Sequence, residues 1–182
     1  MWFAISAVVA VIIVAGLFYL GNRGGASNSS NIEGVEFLAE AGRGHVEGEV
    51  AYPDAVPSGG QHNPVWQNCG IYDEPLRPEN AIHSLEHGAV WVAYQPNLPA
   101  DQVELLREAV RQARRNFGQS MVLLSPQPDL TTPIELVAWR VRLRVEQAAD
   151  GRIAEFLATY QKGPFTPEPA ASCINGIGTP LE

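Results

Sequence analysis

The sequence predicts an α+β (or α/β) domain carried behind one N-terminal transmembrane helix. Three observations predict it. Residues 1–22 carry no charged side chain, and Met1–Leu20 is mostly apolar. Strand-like apolar runs alternate with helix-period segments between Pro78 and Tyr160. Long Gly- and Pro-rich stretches flank that core and hold both cysteines. The expected form is a small sandwich with a sheet of roughly three to five strands, two main helices and long stapled loops. The chain divides into an anchor at 1–22, a flexible tether at 23–33 and an exported globular domain at 34–182.

The anchor reads WFAISAVVAVIIVAGLFYL over Trp2–Leu20. About 20 helical residues at a rise of about 1.5 Å cross a hydrocarbon core of about 30 Å. Trp2, Phe3, Phe18 and Tyr19 place aromatics at both ends, as interfacial belts do. A cleaved signal peptide is the alternative, with Gly24-Gly25-Ala26 as a small-residue cleavage site. The apolar stretch is longer than that reading wants, and no basic segment precedes it. The nearest base, Arg23, follows the helix and does not favour the domain outside by the positive-inside rule. The two cysteines and the lack of cytosolic motifs do. The next segment, GNRGGASNSSN, reaches roughly 20 Å as a coil and keeps the domain near the bilayer.

In the outer domain, Glu47–Tyr52 is a short strand candidate, and Pro57–Gly60 and Gln61–Pro78 are irregular. Pro78-Glu79-Asn80 opens a short helix through about His87, and Gly88 stops it. Ala89–Tyr94 is an apolar strand, and Pro96–Pro99 a turn. Asp101–Asn116 is an amphipathic helix with Val103, Leu106, Val110 and Ala113 at helical spacing. Met121–Ser125, Ile134–Trp139 and Arg142–Glu146 are strands. Arg152–Tyr160 is the last helix, closed by Gly163-Pro164, before a Pro/Gly tail that something must pin.

Charge and motifs exclude several functions. Twenty acids oppose 12 bases, a net charge of −8. Nucleic-acid binding needs clustered Lys and Arg, so no nucleic-acid partner is expected. No phosphate loop, dinucleotide fingerprint or nucleophile elbow occurs, so no nucleotide cofactor is expected. The lipid bilayer is the expected partner, with other membrane subunits a further one. Ala7, Ala10 and Gly16 offer small residues for helix contacts.

Two constellations carry chemistry. Cys69 and Cys173 are the two cysteines of the chain. In an oxidising compartment they read as a disulfide tying the tail to the central loop, with a pair of metal thiolates as the rival. The four histidines, His45, His62, His83 and His87, all lie between positions 45 and 87. His83 and His87 stand at i and i+4, so both rings can meet one ion. His62 and His45 lie in irregular segments able to fold over that helix. Glu86 reads as an orienting residue or a base. Imidazole-rich sites suit zinc or copper, and binding should fail below about pH 6 as the rings protonate. Met121 reads as core or, with copper, as a soft axial ligand. Trp66, Trp91 and Trp139 read as core and loop anchors. His83–His87 also spells His-x-x-Glu-His, the inverzincin pattern, which would make Glu86 the base of a metal-dependent hydrolase. The helix is too short, and the domain too small, for that scaffold.

The strings GHVEGEVAYP, SGGQHNPVWQNCGIYDEP, ENAIHSLEHGAVWVAYQPNLP, LLSPQPDL and FLATYQKGPFTPEPAASCING resemble a bacterial family catalogued as domain of unknown function 3105. The resemblance runs from about Gly34 to Gly176. It implies one N-terminal membrane helix, an exported domain and a shared fold, and it supplies no reaction. At Ser58-Gly59-Gly60-Gln61-His62 this chain departs from the family's more usual Ser-Gly-x-His. The favoured function is metal handling or a metal-stabilised domain, leaning away from an enzyme. The alternatives are a non-catalytic accessory subunit of a membrane complex and a hydrolase using Glu86.

Overall fold

Alternation of side chains along four strands sorts the core into two layers. Val90, Val92 and Tyr94 face one side of the sheet, and Trp91 and Ala93 face the other. Ile134, Leu136, Val141, Leu143 and Val145 join the first layer, while Leu123 and Val137 join the second. This is a computed structural model, and it describes residues 31–117 and 121–182. Ile32–Glu182 forms one compact unit. The anchor assigned to 1–22 and residues 23–30 of the tether lie outside the described residues. Among the described residues no helix is long and apolar enough to cross a membrane.

The elements are β1 (Glu36–Phe37), β2 (Gly70–Ile71), α1 (Pro78–Glu86), β3 (Val90–Tyr94), α2 (Ala100–Phe117), β4 (Val122–Pro126), β5 (Ile134–Ala138), β6 (Val141–Val145) and α3 (Arg152–Tyr160). The fold is mixed α+β, and the sheet has six strands in the order β1-β6-β5-β3-β4-β2. β2, β4 and β3 run parallel, and β3, β5, β6 and β1 pair antiparallel. The sheet therefore exceeds the expected three to five strands, because two-residue strands extend both edges. Such strands are too short to leave a periodic signal. The expected strand at Glu47–Tyr52 is irregular. Gly48 there has φ +95°, and the Val50 amide bonds the Glu79 carboxylate at 2.9 Å instead of a ladder partner.

Leu106 and Val110 of α2 and Ile153, Phe156 and Leu157 of α3 close the first layer. Ala81, Ile82 and Leu85 of α1 cover the second, where Trp91 donates to Ser125 Oγ at 2.9 Å. Met121 is buried in this second layer at 1% exposure, a core residue as its apolar neighbours suggested. α1 ends because Gly88 has φ +96°, and a Cβ there would stand 2.9 Å from Lys162 Cα. That closeness lets Lys162 N–H bond the Gly88 carbonyl at 2.8 Å, which brings the tail beside the end of α1.

Cys69 and Cys173 form a disulfide, with Cα atoms 5.4 Å apart across 104 residues. The bridge sits inside a backbone ladder. Cys69 N–H bonds the Cys173 carbonyl, Asn68 N–H bonds that of Ile177, and Leu181 N–H bonds that of Ile71. The tail is thus pinned along its length against the central loop. Closing so long a loop stabilises the fold by up to about 4–5 kcal/mol in the chain-entropy model.

Candidate metal centre

The last turn of α1 and two loops converge on one point. His45, His62, His83 and Glu86 each bring a donor atom, and these atoms lie within 4.8 Å of one another. His83 and Glu86 meet because i and i+3 share a helix face. His45 and His62 meet because their segments form a β-bridge. In it Val46 N–H bonds the His62 carbonyl at 2.8 Å, and His62 N–H bonds that of Gly44 at 3.0 Å.

Backbone carbonyls fix the rings. His62 Nδ1 lies 2.8 Å from the Gly60 carbonyl, His83 Nδ1 2.8 Å from that of Asn63, and His87 Nδ1 2.7 Å from that of Ser172. A carbonyl only accepts, so each Nδ1 is the protonated nitrogen. Each of these three rings, when neutral, then keeps its lone pair on Nε2. Histidine ligands of metals are held in this way, by an outer carbonyl or carboxylate on the other nitrogen.

One pair concentrates the electrostatics. His62 Nε2 lies 3.1 Å from Glu86 Oε2, and both groups are buried. With Nδ1 already committed, a neutral His62 turns a lone pair toward a carboxylate oxygen. Two acceptors at that distance require a proton or a cation between them. His45 Nε2 approaches the same oxygen at 3.7 Å. Burial pushes His83 down to about 4, assisted by His87, His62 and His45 and opposed by its bond to Asn63. Its lone pair is therefore free at neutral and mildly acidic pH, well below the pH of about 6 expected from an ordinary imidazole.

The rings form one stack. His45 lies parallel to His83 at 4.8 Å between centroids, His62 meets both edge-on, and His83 meets His87 at 4.6 Å. Trp66 walls His83 and His87, and Trp139 walls His62. Both indoles act as loop anchors, Trp66 through a bond to the Ile174 carbonyl.

All four expected histidines are therefore together. Glu86 stands among the donors, while His87 is a neighbour of the group, with Nε2 turned toward Glu168 at 3.7 Å. Glu168, whose amide bonds the Glu86 carbonyl at 3.0 Å, gave no signal in the sequence. The orienting carbonyls of Gly60, Asn63 and Ser172 gave none either, since a backbone acceptor has no residue signature. Both cysteines are in the disulfide, so thiolate ligation is excluded among the described residues.

No curated protein and no solved structure matches the chain. A family model does match, over residues 45–175, a span that includes all four histidines and both cysteines. The chain belongs to the family described as Protein of unknown function (DUF3105).

Proposed function

We propose that this protein is a membrane-anchored, exported domain that holds one transition-metal ion through His45, His62, His83 and Glu86. The observation that carries the reading is the buried approach of His62 Nε2 to Glu86 Oε2 at 3.1 Å, beside two further imidazoles. A divalent cation there satisfies both acceptors and the His83 lone pair at once. Three nitrogens and one carboxylate oxygen suit zinc(II) or copper(II), and the absence of a sulfur donor from the group disfavours copper(I). A tetrahedral zinc sets its ligands about 3.4 Å apart, so the donors draw inward modestly on binding. Glu86 serves as a ligand in this reading rather than as a hydrolytic base. The disulfide supports the exported location, because such bonds persist in oxidising compartments.

The test is metal content of the full chain, purified in detergent from an oxidising compartment, beside its His83→Ala variant. Near-stoichiometric zinc or copper in the first and none in the second is expected. No metal in either, with the fold intact, would remove the reading.

A second reading, an accessory subunit capping a membrane partner, has one observation in its favour. Val65, Ile174 and Ile177 are exposed at 41%, 53% and 42% and flank Trp66 beside the histidines. A partner protein could cover such residues. Isolation of monomer alone in mild detergent would count against it.

A further inference from the structure

The four donors are not held alike, and the difference bears on what the ion is for. The side chains of His62 and Glu86 are exposed by 0% and 5%, and that of His45 by 46%. His62 and His83 each have Nδ1 fixed by a carbonyl, whereas among the described residues no such bond orients the His45 ring. His62 and His83 stand on well-packed structure, but His45 stands on a strap. From Ala39 to Glu49 every residue except Val46 is exposed.

The strap is fastened at its ends. Leu38 N–H bonds the Arg140 carbonyl at 2.8 Å, and Arg140 Nε donates to the Leu38 carbonyl at 3.1 Å. At the other end Val50 N–H holds Glu79. Between them, two backbone bonds to His62 are joined by a long contact from Trp139 Nε1 to Glu40 at 3.5 Å and by the His45 ring itself, which lies against His83 and His62 and 3.7 Å from Glu86. Gly42 and Gly48 bracket His45 with φ of +91° and +95°, and a Cβ at either would meet nothing within 4 Å. Beside the strap lies a cavity of about 600 Å³ lined by Ala41, Gly44, Tyr52, Gly60 and Gln61, among others. The strap therefore has hinges, few fastenings and room to move.

We infer that the ion is exchanged cargo, and that His45 on the Ala39–Glu49 strap is the ligand that opens to admit and release it. This rests on the metal-site reading above. Structural zinc sites are closed by four fixed ligands. Here the buried donors hold the ion, and the exposed one gates the fourth position. When the strap lifts, the His45–metal bond breaks, and a donor atom of the incoming chelate takes the vacated position with no change of oxidation state. The exchange partner is thus a chelating ligand able to enter beside His45, either a small molecule or the exposed metal-binding loop of a carrier.

The experiment loads the full chain in detergent with zinc(II), counts bound zinc, and follows its transfer to excess 4-(2-pyridylazo)resorcinol over a range of chelator concentrations. The wild-type rate should level off as chelator rises, because strap opening precedes capture. His45→Ala should bind zinc more weakly through the three buried donors, lose the plateau and release at least about tenfold faster. Gly42→Ala and Gly48→Ala, which strain the closed strap, should keep the zinc and raise the plateau. These glycine variants decide the matter if His45→Ala fails to fold. A wild type that binds one zinc but releases it in linear proportion to chelator overturns the inference. So does a His45→Ala chain as empty of zinc as His83→Ala, or a plateau that neither glycine variant moves. A wild type that takes up neither zinc(II) nor, in a parallel loading, copper(II) overturns the metal reading itself, which separates the two failures.

Discussion

The two faces of the sheet are built from different materials. The face under α2 and α3 is lined by Val90, Val92, Leu136, Leu143 and Phe156, all at 1% exposure or less. Regular elements bury one another there, and hydrophobic transfer is sufficient to hold them. The face under α1 carries Glu135 and Arg142 among its apolar residues, paired at 2.7 Å, with Asp54 added from a loop at 2.8 Å. Its cover is mostly loop, fastened by a disulfide, by side-chain bonds to backbone and by the histidine cluster. Apolar burial sets the fold on the first face. On the second, specific polar fastenings position groups that a uniform core could not hold, and that is where the candidate site lies.

The largest effect should come from the first face. Phe156→Ala removes a ring with 0% exposure and should cost about 3–5 kcal/mol. The urea midpoint reports it. Zinc content should stay unchanged wherever the variant remains folded. Zinc lost in step with stability under native conditions would mean that the two faces are not separable.

Opening the disulfide tests the second face. Cys69→Ser with Cys173→Ser should cost about 2–5 kcal/mol. It should also loosen Ser172, which orients His87, and the tail beside Glu86. Zinc affinity should then fall by about 10–100-fold while far-UV circular dichroism keeps its sheet signal. Unchanged affinity would show that the tail does not support the centre.

A pH titration divides the faces again. In metal-free protein the folded His83 titrates at about 4, whereas the unfolded ring titrates near its ordinary 6.5. Between those values the unfolded chain binds the proton that the folded chain refuses. This group's contribution is therefore complete above pH 6.5 and is lost as pH falls toward 4, with a slope of at most about 1.4 kcal/mol per pH unit. Denaturation midpoints at pH 7, 5.5 and 4.5 should converge between wild type and His83→Gln. A constant gap would place His83 in a wetter setting.

The same contrast explains what the sequence revealed. α2 is found where its helical spacing indicates, and the strands 90–94, 122–126, 134–138 and 141–145 lie within a residue or so of expectation, because burial leaves a periodic trace. The two-residue strands at Glu36 and Gly70 leave none. In the site, His83 and His87 were visible as a helix pair, but the grouping of Glu86 with His83 depends on where α1 stops. The bridge that brings His45 to His62 is made of backbone bonds between loops, and no residue type encodes it.

The smallest change in stability should come from the sharpest test of the centre. In Glu86→Gln, one acceptor of the facing pair becomes an amide that can donate to His62 Nε2 without a proton or an ion between them. If the four donors form a metal centre, this variant should leave metal-free stability within about 1 kcal/mol of wild type or raise it, since a satisfied buried pair replaces two facing acceptors. Its zinc affinity should fall, because a carboxylate ligand has gone. If His62 and Glu86 are instead a charged hydrogen bond in the resting protein, the same variant discards a charge-assisted bond, worth about 1.5–3 kcal/mol. Stability and zinc affinity therefore move apart under one interpretation, and stability alone drops under the other. Measuring both on the same preparation distinguishes a pocket shaped for a cation from one that has already found its proton.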